Sequence, residues 1–125
     1  MIPERLAAVD RDEELLPATR KVERALLGAV LTTGLIPKAP PRPEDFSTEA
    51  HRVTWEAIRA VAARGDEPSL TLVDYELSRA GNLERAGGQA FLASHLDSTD
   101  CSDLGVYARI VKEAARMRQL KRLSG

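Results

Sequence analysis

The stretch PATRKVERALLGAVLTTG, residues 17–34, decides the fold class. Val22, Leu26, Leu27, Val30 and Leu31 recur at the spacing that lines up one face of an α-helix. Pro17 and Thr19 form a start signal, because proline suits a first helical turn and a threonine hydroxyl can accept hydrogen bonds from its free amides. Gly34 supplies the stop. Beyond it Pro37, Pro40, Pro41 and Pro43 cannot continue a helix, since proline lacks the amide hydrogen and clashes with the preceding turn. The reading there is a rigid, extended loop.

The same logic carries outward. Ser47 or Thr48 caps a second helix, with Ala50, Val53, Ala57, Ile58 and Val61 on its apolar face, His51, Trp55 and Ala62 along the flank, and Gly65 closing it. Pro68 and Ser69 open a third, where Leu70, Val73, Leu77 and Ala80 face inward as far as Gly81. After Gly87-Gly88, the residues Ala90, Phe91, Leu92, His95 and Leu96 predict a fourth helix. The polar run Asp97 to Asp103 leads to a last one, from about Leu104, whose stripe is Tyr107, Ile110, Val111, Ala114, Met117 and Leu120. Upstream, Met1 to Leu16 holds two bases and five acids and reads as an acidic, partly mobile leader in which Leu6, Ala7 and Val9 are able to form a short helical turn. No strand pattern competes, so the fold class is all-α. The chain divides into a leader at 1–16, a helical head at 17–103 and a long terminal helix at 104–125.

Composition narrows the function. The 125 residues carry 18 Lys+Arg against 19 Asp+Glu, a net charge of −1, and are 43% hydrophobic and 30% charged. That describes one globular domain with a modest core and no overall attraction to nucleic acid or anionic membranes. A single cysteine, Cys101, excludes an internal disulfide and fits a reducing compartment, making the cytoplasm the default location. No apolar run approaches the ~20 residues that span a bilayer.

Enzyme chemistry finds no support in the pattern. A phosphate-binding loop needs clustered glycines followed by lysine and a hydroxyl residue, whereas Gly81, Gly87 and Gly88 fit helix ends and a tight turn. His51 and His95 fall on different helices without ligand-spaced neighbours, and capping or surface roles are expected of them. Cys101 has no nearby histidine to activate it. The expectation is a non-catalytic chain with no metal and no cofactor.

One local imbalance stands out. From Arg109 to Gly125 there are six bases against one acid, Glu113. This reads either as a nucleic-acid face or as cations rimming an apolar stripe that packs on a partner helix. The partner helix is the favoured reading, because the stripe is too apolar for an exposed rod and no aromatic stacking set accompanies the charge.

Five motifs then follow one another in order. They are Pro17-x5-Glu23-x3-Leu27-Gly28-Ala29; Pro43-Glu44-Asp45-Phe46 with His51-Arg52 and Glu56-Ala57-Ile58; Gly65-Asp66-Glu67-Pro68; Gly87-Gly88-x-x-Phe91-Leu92; and Tyr107-Ala108-Arg109-Ile110-Val111. In this order and spacing the chain resembles the N-terminal domain of DnaB-type replicative DNA helicases, from Pro17 to about Leu123. It departs from the family pattern at Ala18-Thr19, where a polar pair is usual, at Ser69, where the helix start is usually acidic, and in its proline-rich loop.

The resemblance implies a small orthogonal helical bundle ending in the first arm of a helical hairpin. It also implies self-association, as a dimer or a trimer of dimers in the collar of a hexameric ring, and recruitment of primase through the primase C-terminal domain. DNA would be met only indirectly. ATP and Mg would belong to a C-terminal domain of the parent helicase, absent from these residues. Phe91, Tyr107, Met117, Leu120 and Leu123 are the candidate partner-binding residues, with core packing equally open to Phe91. Other readings are a free-standing regulator that binds the helicase or primase, the helicase-binding domain of primase, and a direct DNA-binding module.

Overall fold

In the computed structural model the described residues are 4–98 and 103–124, with side chains described for 15–97 and 103–123. Cys101 and part of the Asp97 to Asp103 run lie outside them. Five α-helices and two short 3-10 turns make up the described chain, and no strand occurs among these residues. Nor is any described helix long and apolar enough to cross a membrane.

Helix α1 spans Glu4–Thr33, so it begins well before the expected start, and Pro17 lies inside it. Thr19 is no cap: its hydroxyl donates to the Leu15 carbonyl one turn back, at 3.0 Å. The segment before Pro17 is rich in Glu, Leu, Ala and Arg, strong helix formers that carry the helix through a residue which removes one backbone hydrogen bond. Downstream the boundaries follow the caps. Helix α2 spans Glu49–Ala63 and is capped by Thr48, whose side chain accepts from the His51 amide, while α3 spans Leu70–Arg79 under a cap from Ser69 to the Leu72 amide. The six-residue α4, Gln89–Ser94, runs into a 3-10 turn at His95–Ser98, and α5 spans Leu104–Ser124.

The core forms where these helices cross. Leu26, Leu27 and Val30 of α1, Val53, Trp55 and Ile58 of α2, Val73 and Leu77 of α3, and Ala108 and Val111 of α5 are all buried. Helix α1 packs along α5 and against the His95–Ser98 turn, while α2 packs on α3 and on the 3-10 turn at Pro43–Asp45. Trp55, expected on a flank, is fully buried because the proline loop folds over it: Pro37 and Pro41 are buried, and the indole N–H donates to the Pro41 carbonyl at 2.8 Å. Proline makes this loop stiff enough to act as a lid on the indole.

Gly87 marks a close approach between a turn and the helix that follows it. Its φ is +101°, and a Cβ placed there would collide with the ring of Phe91. Gly87→Ala is therefore expected to lower the unfolding free energy by about 1–3 kcal/mol, read as an earlier midpoint in urea or thermal melts.

Candidate functional site

Two places concentrate polar or exposed apolar groups, and they differ in kind. The first is buried. Glu23, on the α1 face that meets the start of α2, has no exposed surface. Its carboxylate accepts from the Ser47 amide at 3.0 and 3.1 Å and from the Ser47 hydroxyl at 3.1 Å. His51 Nδ1 lies 2.7 Å from Oε1, and since a carboxylate only accepts, this nitrogen carries the hydrogen. Every donor comes from the N-terminal end of α2 or the residue leading into it.

Next to this network the rings cluster. His51 stacks on Phe91 with centroids 6.3 Å apart, and His95 meets both edge-on, at 5.5 Å from His51 and 5.0 Å from Phe91. The Arg24 guanidinium sits 5.6 Å over the Phe91 ring and donates to the Ser94 hydroxyl at 3.1 Å. Burial, with the nearby His51 and Arg24 adding to it, pulls the His95 pKa down to about 4. Both histidines are thus interior groups, contrary to the capping or surface roles expected of them, because the helices bring residues 44 positions apart into one cluster. A His–carboxylate pair suits general-base catalysis, but here the adjacent Ser47 hydroxyl donates to the same carboxylate and the pair has almost no accessible surface. Among the described residues no three His, Cys, Asp or Glu side chains gather as metal ligands.

The second place is the distal half of α5. Met117, Leu120 and Leu123 are 57%, 53% and 78% exposed and follow one another at three-residue intervals. The expected stripe divides along its length. Tyr107 is half-buried against the core and Val111 is buried on the head, so the first half of the helix is already covered by its own chain. Phe91 stands apart from this stripe, in the wall of a shallow apolar groove of about 450 Å³ between α1 and α2 that also includes Pro17, Arg20, Lys21 and Ala50. The five candidate residues therefore occupy two surfaces and one partly covered position.

Several motif residues build the buried network and the core. Glu23, Asp45, Phe46, His51, Phe91, Ala108 and Val111 come from four of the five motifs, and all but the half-buried Phe91 are buried. The family model described as DnaB-like helicase N terminal domain matches residues 15–113. The chain belongs to this family. It is 35% identical to the replicative DNA helicase DnaB of Geobacillus stearothermophilus over 114 residues, which is 88% of this chain and 25% of that protein. It is 30% identical to the replicative DNA helicase DnaC of Bacillus subtilis (strain 168) over 118 residues, 89% of this chain and 25% of the relative. The chain thus spans about a quarter of the length of these curated relatives. Among solved structures, the N-terminal domain of DnaB helicase from Mycobacterium tuberculosis superposes with a TM-score of 0.75 at 31% identity, covering 82% of this chain and 76% of that one. Both the helical fold and the DnaB N-terminal domain assignment follow.

For this DnaB-type domain the Glu23 network is structural, and two outcomes test it. Glu23→Ala leaves the Ser47 and His51 donors without their acceptor and should cost about 3–5 kcal/mol in denaturant melts; Glu23→Gln, which keeps the shape, should fall between that variant and the parent. His95 supplies a pH signature. Its folded pKa lies below the ordinary 6.5, so the unfolded chain takes up the proton first, and stability is complete above pH 6.5 and falls as pH drops toward about 4. The loss is roughly 3 kcal/mol. Glu76, held below its ordinary 4.5 by hydrogen bonds from Arg64 and Arg79, adds its own loss only at lower pH. His95→Gln should flatten the profile between pH 6.5 and 4.5.

Proposed function

We propose that this domain is the non-catalytic assembly and docking end of a replicative DNA helicase, pairing with its own copies in the collar of a hexamer and recruiting the C-terminal domain of primase in the cytoplasm. The observation that carries the reading is the exposed stripe Met117, Leu120 and Leu123. Water-exposed apolar side chains repeated along one helix face are favourable only when another surface covers them. The first half of α5 packs on the head through Ala108 and Val111, so the helix is held rigidly while its distal half projects these groups outward. That division suits an arm which adds a partner without disturbing the head.

Tyr107, half-buried in the first turn of α5, and Phe91, in the groove beside Arg24, are the proposed additional partner contacts. The groove pairs an apolar wall with Arg20, Lys21 and Arg24, a combination suited to an acidic, amphipathic helix. The 125 residues themselves take no nucleotide cofactor in this reading; ATP and Mg belong to another domain of the parent protein.

Light scattering of the chain, alone and mixed with a primase C-terminal domain, tests the proposal. Self-association or a mixed complex is expected, and Leu120→Asp should abolish the self-association while leaving the helical circular-dichroism spectrum and the melt unchanged. Leu27→Asp places a charge at a position with no exposure and should unfold the protein. A monomer that ignores primase would overturn the reading.

A further inference from the structure

The 3-10 turn at Pro43–Asp45, the start of α2 and the distal half of α5 enclose a polar groove of about 580 Å³ on the head. Arg42, Arg52, Lys112, Arg116, Arg118 and Arg122 line it, against Glu44 and Asp45. Much of the acidic charge is already engaged. Asp45, only 11% exposed in its side chain, accepts from the Arg42 amide at 2.9 Å, and Glu44 pairs with the Arg42 guanidinium at 3.7 Å. Among the described residues, the other five cations form no ion pair with a carboxylate.

Two of those five are held in place by neutral groups. Arg118 Nη2 donates to the Asp45 carbonyl at 2.8 Å, and Lys112 Nζ donates to the Ala39 carbonyl at 2.9 Å. A carbonyl positions a cation without cancelling its charge. The preference of helix C-termini for cations accounts for Arg122 at the end of α5, but not for Arg42 and Arg52, which arrive from other elements. Gathering like charges costs stability unless an anion joins them.

We propose that this groove binds the phosphate backbone of single-stranded nucleic acid, independently of the apolar stripe on the same helix. From Lys112 to Arg122 the helix rises by ten residue steps, or about 15 Å of axis, enough to meet successive phosphates. An acidic protein segment is the poorer fit, because helical and extended peptides anchor through apolar side chains. The apolar members here are Ala115 and Phe46, and Phe46 is only 1% exposed. With no exposed aromatic ring in the lining, bases have nothing to stack on, and binding should be indifferent to sequence.

A salt series of fluorescence-anisotropy titrations with a labelled twelve-residue oligothymidylate and the full 125-residue chain tests the idea. With four phosphate contacts, affinity should fall about fifty-fold between 50 and 200 mM salt, a slope near −3 in log–log form. The double variant Arg116→Gln, Arg122→Gln should lower that slope by about 1.4 and weaken binding at low salt. Arg52→Gln, on the opposite wall, should act in the same direction, whereas Arg59→Gln, exposed on α2 outside the groove, should change nothing. Circular dichroism confirms that each variant is folded. Absence of binding at low salt, equal weakening by Arg59→Gln, or displacement of the oligonucleotide by polyglutamate of matched charge as readily as by unlabelled oligonucleotide would each overturn the proposal.

Discussion

A buried carboxylate at Glu23 is the constraint around which the head is arranged. A carboxylate removed from water is tolerated only where donors replace its hydration, and Ser47 and His51 supply them from one short segment. That requirement sets how α1 crosses the start of α2. Once it is met, His51 stacks on Phe91, and α4 with the turn after it comes to rest over the same crossing, bringing His95 into the interior. Gly87 then has to pass so close to the Phe91 ring that no side chain fits.

The terminal helix does two jobs because its two faces and two halves have different neighbours. Ala108 and Val111 join the core, while Met117, Leu120 and Leu123 stay in water. On another side of the same helix, Lys112 and Arg118 reach back to carbonyls of the loop and turn that precede α2. Those tethers tie the helix to the loop carrying Pro41, which in turn covers Trp55. Core, arm and basic groove are therefore mechanically one unit, even though their surfaces suit different ligands.

How much of this was legible varies with the physics of each residue. Thr48 and Ser69 were readable as caps because capping is local: a side chain and an amide three residues on decide it. Pro17 misled as a start signal, since the helix-forming residues before it outweigh the loss of one hydrogen bond. Trp55 and the two histidines looked peripheral on their own helices. Their burial depends on elements that meet only in the fold, the proline loop over Trp55, α4 beside His51 and α1 against the turn that carries His95, and no periodicity within one helix encodes it. Likewise the basic run on α5 was visible as charge, but its meeting with Arg42 and Arg52 was not.

By itself, then, the amino-acid sequence determined the helical class, most of the helix ends and, through five ordered motifs, the family, because caps, breakers and apolar spacing act over a few residues. Only the tertiary structure decided which motif residues are interior, which half of α5 is left exposed, and that six cations from three elements share one groove. Those are properties of surfaces made by segments far apart in the chain. Charge and exposure at such surfaces depend on what folding places opposite each side chain.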